Sequence, residues 1–222
     1  MGYDVELKNI TLQEYKTMLK KQNLLAARRI LRENIDEHFD ELDKSGIKNL
    51  QQLSDSIDNS ENLEALSVKT QIPPDYLAIL KRELSGIIKK PVLIADFPYI
   101  PPDTFKKLGE NCVQTSKDFY ELTNDGRDIH DICSRTKITE ESAKELCSLC
   151  DFIRINAVGP VFARVLFESG FRSIEEIASS SASDILDRVT EVNDARKITR
   201  VLLGENEIQM CIDFAKILLR AK

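Results

Sequence analysis

Two pairs of side chains in the middle of the sequence have the spacing of zinc ligands. His130 and Cys133 are separated by two residues, and so are Cys147 and Cys150. Tetrahedral zinc sites often take paired ligands at such intervals. However, an internal repeat places a glutamate and a serine opposite the first pair, and Cys150 falls on an apolar helical stripe, where a free cysteine packs as a small hydrophobe. We therefore predict no metal site and no cofactor.

Residues that commonly carry out catalysis are sparse. The chain has two histidines, and its sequence contains no nucleophile elbow, no phosphate-binding loop and no zinc-protease motif. No pair of carboxylates occurs in an apolar stretch that would tune one of them as a general acid. The sequence therefore predicts a protein that is not an enzyme.

Charge and composition limit the partners. The 222 residues carry 31 Lys and Arg against 37 Asp and Glu, a net charge of −6, which is poorly suited to coating nucleic acid or an anionic membrane. No apolar run approaches the roughly 18–20 residues that span a bilayer. The first residues lack the apolar segment of a signal peptide, and five cysteines, an odd number, suit a reducing compartment. The sequence therefore favours the cytoplasm and predicts no membrane partner.

The elements that must position any site are helical almost throughout. Thr11 and Glu14 have the spacing of a capping box at the start of a first helix. Apolar periodicity predicts one long helix from Leu24 to Leu42 and a last helix from Ile208 to Leu219. Only Pro91–Ile94 is typical of a strand, and four residues make no sheet.

One segment occurs three times without gaps, beginning at Leu42, Leu108 and Leu166, with offsets of 66 and 58 residues. In each copy a helix ends near the fifth residue, an apolar residue follows, and a helix N-cap with its partner three residues later comes next. The caps and partners are Asn49 with Gln52, Thr115 with Asp118, and Ser173 with Glu176. The same register three times indicates three related helical units.

The stretch before the third copy reads Phe152-Ile-Arg-Ile155-Asn-Ala-Val158-Gly159-Pro160-Val-Phe-Ala163-Arg-Val-Leu166. This third hairpin (residues 152–166) resembles the helix-hairpin-helix motif, in which a glycine-containing turn joins two helices. Residues 24–190 as a whole resemble a bacterial family of uncharacterised proteins built from tandem degenerate units of this motif. The resemblance implies an all-α, SAM-like bundle of three units at 34–92, 93–150 and 151–222, with a helical extension at 1–33 and another at the C-terminal end.

The resemblance also implies a site. In the family, N–H groups at the start of the second helix hold a DNA phosphate without reading its sequence. The matching candidates for nucleic-acid contact in this sequence are Gly159, Val161 and Phe162, with Arg154 and Arg164 as the nearest cations.

Several positions depart from the family pattern. Ala157 occupies the first glycine position of the third hairpin, and Pro160 has no N–H to offer. In the second hairpin (residues 97–103), Tyr99 and Pro101 occupy the two glycine positions, and Asp103 places an anion where a phosphate would lie. Phosphate binding is therefore better supported at the third hairpin than at the second.

Two functions remain for a non-catalytic binding module. One is weak, sequence-independent binding of a nucleic-acid backbone through the third hairpin. The other is a protein–protein interaction or scaffold role in which the hairpins are vestigial. Phosphate contacts lose affinity steeply as salt rises, whereas an apolar interface does not, so the salt dependence of binding distinguishes the two.

Overall fold

A computed structural model of the chain describes residues 2–22, 24–124, 128–201 and 203–220. The regular elements in these residues are all helical, which confirms the predicted all-α fold. Pro91–Ile94 contributes one isolated β-bridge, from Leu93 to Thr115, and forms no strand. The residues fall into two compact units, Val5–Ile88 and Lys89–Arg220, and residues 2–4 belong to the second. We call these the N-terminal and C-terminal units; the finer division by repeats stays a prediction.

Side-chain caps at Thr11, Asn49 and Asn59 begin three of the five α-helices of the N-terminal unit. Its described residues form the 3₁₀-helices Leu7–Asn9 and Ala26–Arg32 and five α-helices: α1 (Leu12–Lys21), α2 (Ile35–Lys44), α3 (Leu50–Ser56), α4 (Ser60–Thr70) and α5 (Pro74–Leu84). The capping box predicted for α1 is confirmed. Glu14 N–H donates to Thr11 Oγ1 at 3.1 Å, and the Glu14 carboxylate accepts from Thr11 N–H at 2.9 Å.

The long helix predicted from Leu24 to Leu42 is wrong. Residues 26–32 form a 3₁₀-helix, Asn34 takes a left-handed conformation with φ of 49°, and α2 begins at Ile35. Asparagine tolerates this conformation better than most residues. The apolar periodicity continues across the break because Leu31 and Ile35 are both buried. Periodicity alone therefore could not reveal it.

The C-terminal unit contains the third hairpin. Its described residues form the 3₁₀-helix Ile94–Asp96 and eight α-helices: α6 (Pro102–Glu110), α7 (Ser116–Asn124), α8 (Ile129–Thr136), α9 (Glu140–Phe152), α10 (Pro160–Glu168), α11 (Ile174–Ser179), α12 (Ala182–Arg196) and α13 (Glu205–Leu219). The predicted last helix is confirmed as α13, which buries Ile208, Cys211 and Leu218. It packs against α11 and α12.

Helices α2, α6 and α10 end in the same way. The residue at the shared position has a positive φ in each case: 102° at Gly46, 60° at Cys112 and 89° at Gly170. The next N–H then donates to the carbonyl of the residue five positions earlier, the long-range bond of a Schellman motif. These bonds join Ile47 to Leu42 at 3.2 Å, Val113 to Leu108 at 3.0 Å and Phe171 to Leu166 at 3.2 Å. All six of these apolar residues are buried.

The three predicted caps after these helix ends also form. Asn49 accepts from Gln52 N–H at 3.0 Å, Thr115 from Asp118 N–H at 3.2 Å, and Ser173 from Glu176 N–H at 3.3 Å. The repeated segment thus has one local geometry in all three copies, and its sequence signature corresponds to specific hydrogen bonds.

Candidate functional site at the third hairpin

In the turn between α9 and α10, the first glycine position of the motif has the positive φ that glycine favours, although the residue there is not glycine. Ala157 has φ of 70°, and Tyr99, at the matching place in the second hairpin, has φ of 66°. A side chain in this region costs about 1–2 kcal/mol relative to glycine's freedom. The surrounding packing, including the fully buried Val158, holds the turn in place. The departure in sequence has therefore not changed the path of the backbone.

Helix α10 begins without a side-chain cap. Gly159 is the N-cap residue, Pro160 is the first helical residue, and no side chain accepts a hydrogen bond at this cap. Ala163 N–H donates to Gly159 O at 2.8 Å, so the N–H groups of Val161 and Phe162 precede that intrahelical bond. A Cβ built on Gly159 would meet nothing within 4 Å. The helix start therefore has room for an acceptor.

Arg164 does not reach this opening. It is 2% exposed and forms ion pairs with Glu145 on α9 and, at 3.4 Å, with Glu168 on its own helix. The Phe167 ring centroid lies 5.5 Å from its guanidinium carbon. Phosphate binding by Arg164 stays a prediction, and the neutralisation of its charge by two carboxylates inside the unit argues against it.

Arg154 is held just as firmly. It is 5% exposed, donates from Nη1 to Asp151 at 2.6 Å, and donates from Nε to the carbonyl of Tyr3 at 3.0 Å. Its guanidinium carbon lies 4.5 Å from the centroid of the Tyr120 ring. Phosphate contact by Arg154 likewise stays a prediction, and its position argues against it, since its donors already serve acceptors within the C-terminal unit.

Asp151 explains why Arg154 turns inward. The second oxygen of its carboxylate accepts from the N–H of Ile174 at 3.4 Å. On the same helix, the hydroxyl of Ser148 donates to Arg172 O at 2.8 Å. In the two earlier copies of the repeated segment, the N–H and carbonyl groups at these two positions form hydrogen bonds with the backbone of an isolated β-bridge instead of with side chains. Burial raises the pKa of Asp151, while the charge and hydrogen bond of Arg154 act in the opposite direction. Arg154 thus provides the charge that a buried carboxylate needs.

The exposed part of the third hairpin is apolar. Val161 is 40% exposed, and Phe162 is partly buried beside it in sequence. Tyr99 is an exposed aromatic residue whose ring centroid lies 5.8 Å from the Arg164 guanidinium carbon. Tyr99 and Val161 thus place exposed apolar surface at the turns of the second and third hairpins, respectively.

Sequence reasoning missed the groups to which both arginines are bonded. Glu168 is four residues after Arg164 on one helix, which is a detectable ion-pair spacing. Glu145 and Tyr3 gave no signal, because each approaches its arginine through the tertiary fold.

The histidine and cysteine pairs are not brought together as metal ligands. Within the described ranges, no group of three or more His, Cys, Asp or Glu side chains is placed to hold a metal ion. Burial raises the pKa of Cys147 to about 11 and that of Cys150 well above its ordinary value. Likewise, no helix among the described residues has the length and apolar character needed to cross a membrane.

Comparison with known proteins identifies the family of the chain. A family model described as Domain of unknown function (DUF4332) matches residues 98–218. This range begins next to Tyr99 and ends in α13, so it includes the second and third hairpins. No curated protein and no solved structure matches the chain.

Proposed function

The chain belongs to the DUF4332 family, and from the geometry of its third hairpin we propose that it is a non-catalytic protein-binding module. Its helical units are degenerate helix-hairpin-helix units, and the contact surface is the apolar side of the hairpin turns, around Tyr99 and Val161. The cytoplasm is the proposed location, since the five cysteines are free thiols, which persist in a reducing compartment.

The burial of Arg154 and Arg164 is the observation that carries this proposal. Non-specific nucleic-acid binding depends on cations that can replace the counterions of phosphates. At the third hairpin, both arginines lie in internal ion pairs and are at most 5% exposed. The chain as a whole is acidic. These features favour a partner that presents apolar surface over one that presents phosphate.

The exposed residues suit such a partner. Aromatic residues are enriched in the buried centres of protein interfaces, where charged residues are depleted. Tyr99 and Val161 provide one exposed aromatic and one exposed aliphatic side chain at the turns of the second and third hairpins. The polar groups nearby, those of Arg164, are already satisfied in part by Glu145 and Glu168.

A matched pair of substitutions tests this surface. Partners captured from nuclease-treated lysate at high salt should be retained by Val68→Asp and lost by Val161→Asp. Val68 is 82% exposed on α4 of the N-terminal unit and serves as the control. A partner lost on nuclease treatment, or equally retained by both variants, would contradict the proposal.

The uncapped start of α10 supports a second candidate function, weak binding of a nucleic-acid backbone through the N–H groups of Val161 and Phe162. Proline is tolerated in the first helical turn and removes one donor. If this function operates, Val161→Pro should weaken the binding of duplex DNA at low salt, while Val161→Ala should not. Affinity would be on the order of 10⁻⁴–10⁻⁶ M and independent of sequence. Absence of binding at low salt removes this candidate.

A further inference from the structure

Residues 2–4 lie along the C-terminal unit although they precede it in the chain by the whole N-terminal unit. They form no helix, and they contact residues of α7 and of the turn after α9. The side chains that hold them, Ser116, Lys117, Tyr120 and Arg154, all belong to the segment 89–220. One compact unit therefore provides the whole surface on which this segment lies.

The backbone of the segment is recognised by Arg154. Its Nε donates to Tyr3 O at 3.0 Å and its Nη2 donates to Gly2 O at 3.3 Å. A guanidinium presents its donors in a fixed fork, which suits two carbonyls from consecutive residues. Asp151 at 2.6 Å and the face of Tyr120 hold the guanidinium in this orientation. This contact recognises the two backbone carbonyls and reads no side chain of the segment.

The side chain of Tyr3 provides an anchor. It is buried, its hydroxyl lies 2.6 Å from Ser116 Oγ, and its ring meets the Tyr120 ring edge-on at 5.5 Å between centroids. Burial raises the pKa of the Tyr3 hydroxyl to about 12, as expected for a phenol removed from water. A buried aromatic residue of this kind is the usual centre of a binding hot spot.

Asp4 adds charge recognition at the edge of the site. Lys117 Nζ lies 2.8 Å from Asp4 Oδ2, and both side chains are partly exposed. Lys117 Nζ also lies 5.9 Å from the centroid of the Tyr3 ring. Backbone, aromatic ring and carboxylate are thus each read by a different group of the C-terminal unit.

We propose that the C-terminal unit has a binding site for a short segment with an aromatic residue followed by an acidic one, and that residues 2–4 of this chain are its reversible occupant. The site is separate from the apolar surface proposed above and does not rest on that function. Tyr3 has the buried side chain of the segment, and residues 2–4 form no helix, so release of the segment would break no helix of the unit.

The test uses the chain without residues 1–4 and a fluorescent peptide of residues 2–8. Fluorescence anisotropy should detect binding of this peptide to the shortened chain with a Kd of about 1 mM or below. Binding to the intact chain should be weaker, by about twofold for a peptide Kd of about 1 mM and by about tenfold for a Kd of about 0.1 mM, because the tethered segment competes at an effective concentration of about 1 mM. A peptide with Tyr3→Ala should bind at least about tenfold more weakly than the wild-type peptide. A folded shortened chain that binds no peptide, or binds both peptides equally, overturns the proposal.

Two charge variants of the intact chain keep the test decisive if the shortened chain fails to fold. Asp4→Lys places two ammonium groups together and should loosen the segment, so that the wild-type peptide binds this variant more tightly than it binds the unmodified chain. Adding Lys117→Asp restores an opposite pair within the chain and places a carboxylate opposite Asp4 of the wild-type peptide, so this chain should bind the peptide less tightly than the intact chain does. Equal peptide binding by all three chains contradicts the proposal.

Discussion

Replacing Arg164 with alanine should be strongly destabilising, although sequence alone suggests a harmless loss of a surface cation. The side chain is 2% exposed and lies between Glu145 and Glu168, which are themselves mostly buried. Removing one partner of a buried ion pair leaves an uncompensated charge and costs about 3–5 kcal/mol. We therefore expect Arg164→Ala to lower the free energy of unfolding of the C-terminal unit by that amount.

Arg196 offers a matched control, because it pairs with the same Glu168 from an exposed position. Its side chain is 57% exposed, and exposed ion pairs contribute about 0–1 kcal/mol. Arg196→Ala should therefore have an effect several times smaller than that of Arg164→Ala. Combining Arg164→Met with Glu145→Gln should recover part of the loss, since an uncharged pair of similar volume leaves less charge buried.

Urea unfolding followed by far-UV circular dichroism measures these effects. For a urea dependence of about 2 kcal/mol/M, a loss of 3–5 kcal/mol lowers the midpoint by about 1.5–2.5 M. If Arg164→Ala and Arg196→Ala shift the midpoint equally, by less than about 0.5 M, the reasoning is refuted. Arg164 would then be a solvated cation, and phosphate binding at the third hairpin would regain its support.

Three further predictions concern single positions. Gly46 and Cys112 both have a positive φ, which glycine adopts more readily than other residues. Gly46→Ala should therefore lower the free energy of unfolding by about 1–2 kcal/mol, and Cys112→Gly should raise it by about 0.5–1 kcal/mol. Urea titration measures both changes. Cys112 is the exposed thiol of five, so Cys112→Ser should abolish the fastest reaction with a disulfide reagent. Neutral Tyr3 contributes its full stabilisation below pH 10, and this contribution falls as pH rises from 10 towards its pKa of about 12. Tyr3→Phe should therefore lose less stability than wild type between pH 10 and 12 in thermal melts.

Local interactions could be predicted from the sequence because they join residues close together along the chain. The capping box at Thr11 and the three caps after the repeated helix ends formed as predicted. Even Cys112, which is not a glycine, takes the positive φ that the repeat assigns to its position. Each of these features depends on a hydrogen bond that spans three to five residues, so the residue types at those positions suffice to indicate it.

The long-range contacts of the arginines required the tertiary structure. The sequence places Arg154 and Arg164 beside the third hairpin, but which way each side chain points depends on groups that approach from elsewhere. Arg154 donates to the carbonyl of Tyr3, 151 positions away, and Arg164 pairs with Glu145 across two helices. A buried carboxylate attracts the nearest guanidinium inward, since an unpaired charge in the interior is far more costly than one at the surface. The sequence alone therefore determined the helix caps and the repeated helix ends but not the break at Asn34, and the fold decided which charges remained available at the surface.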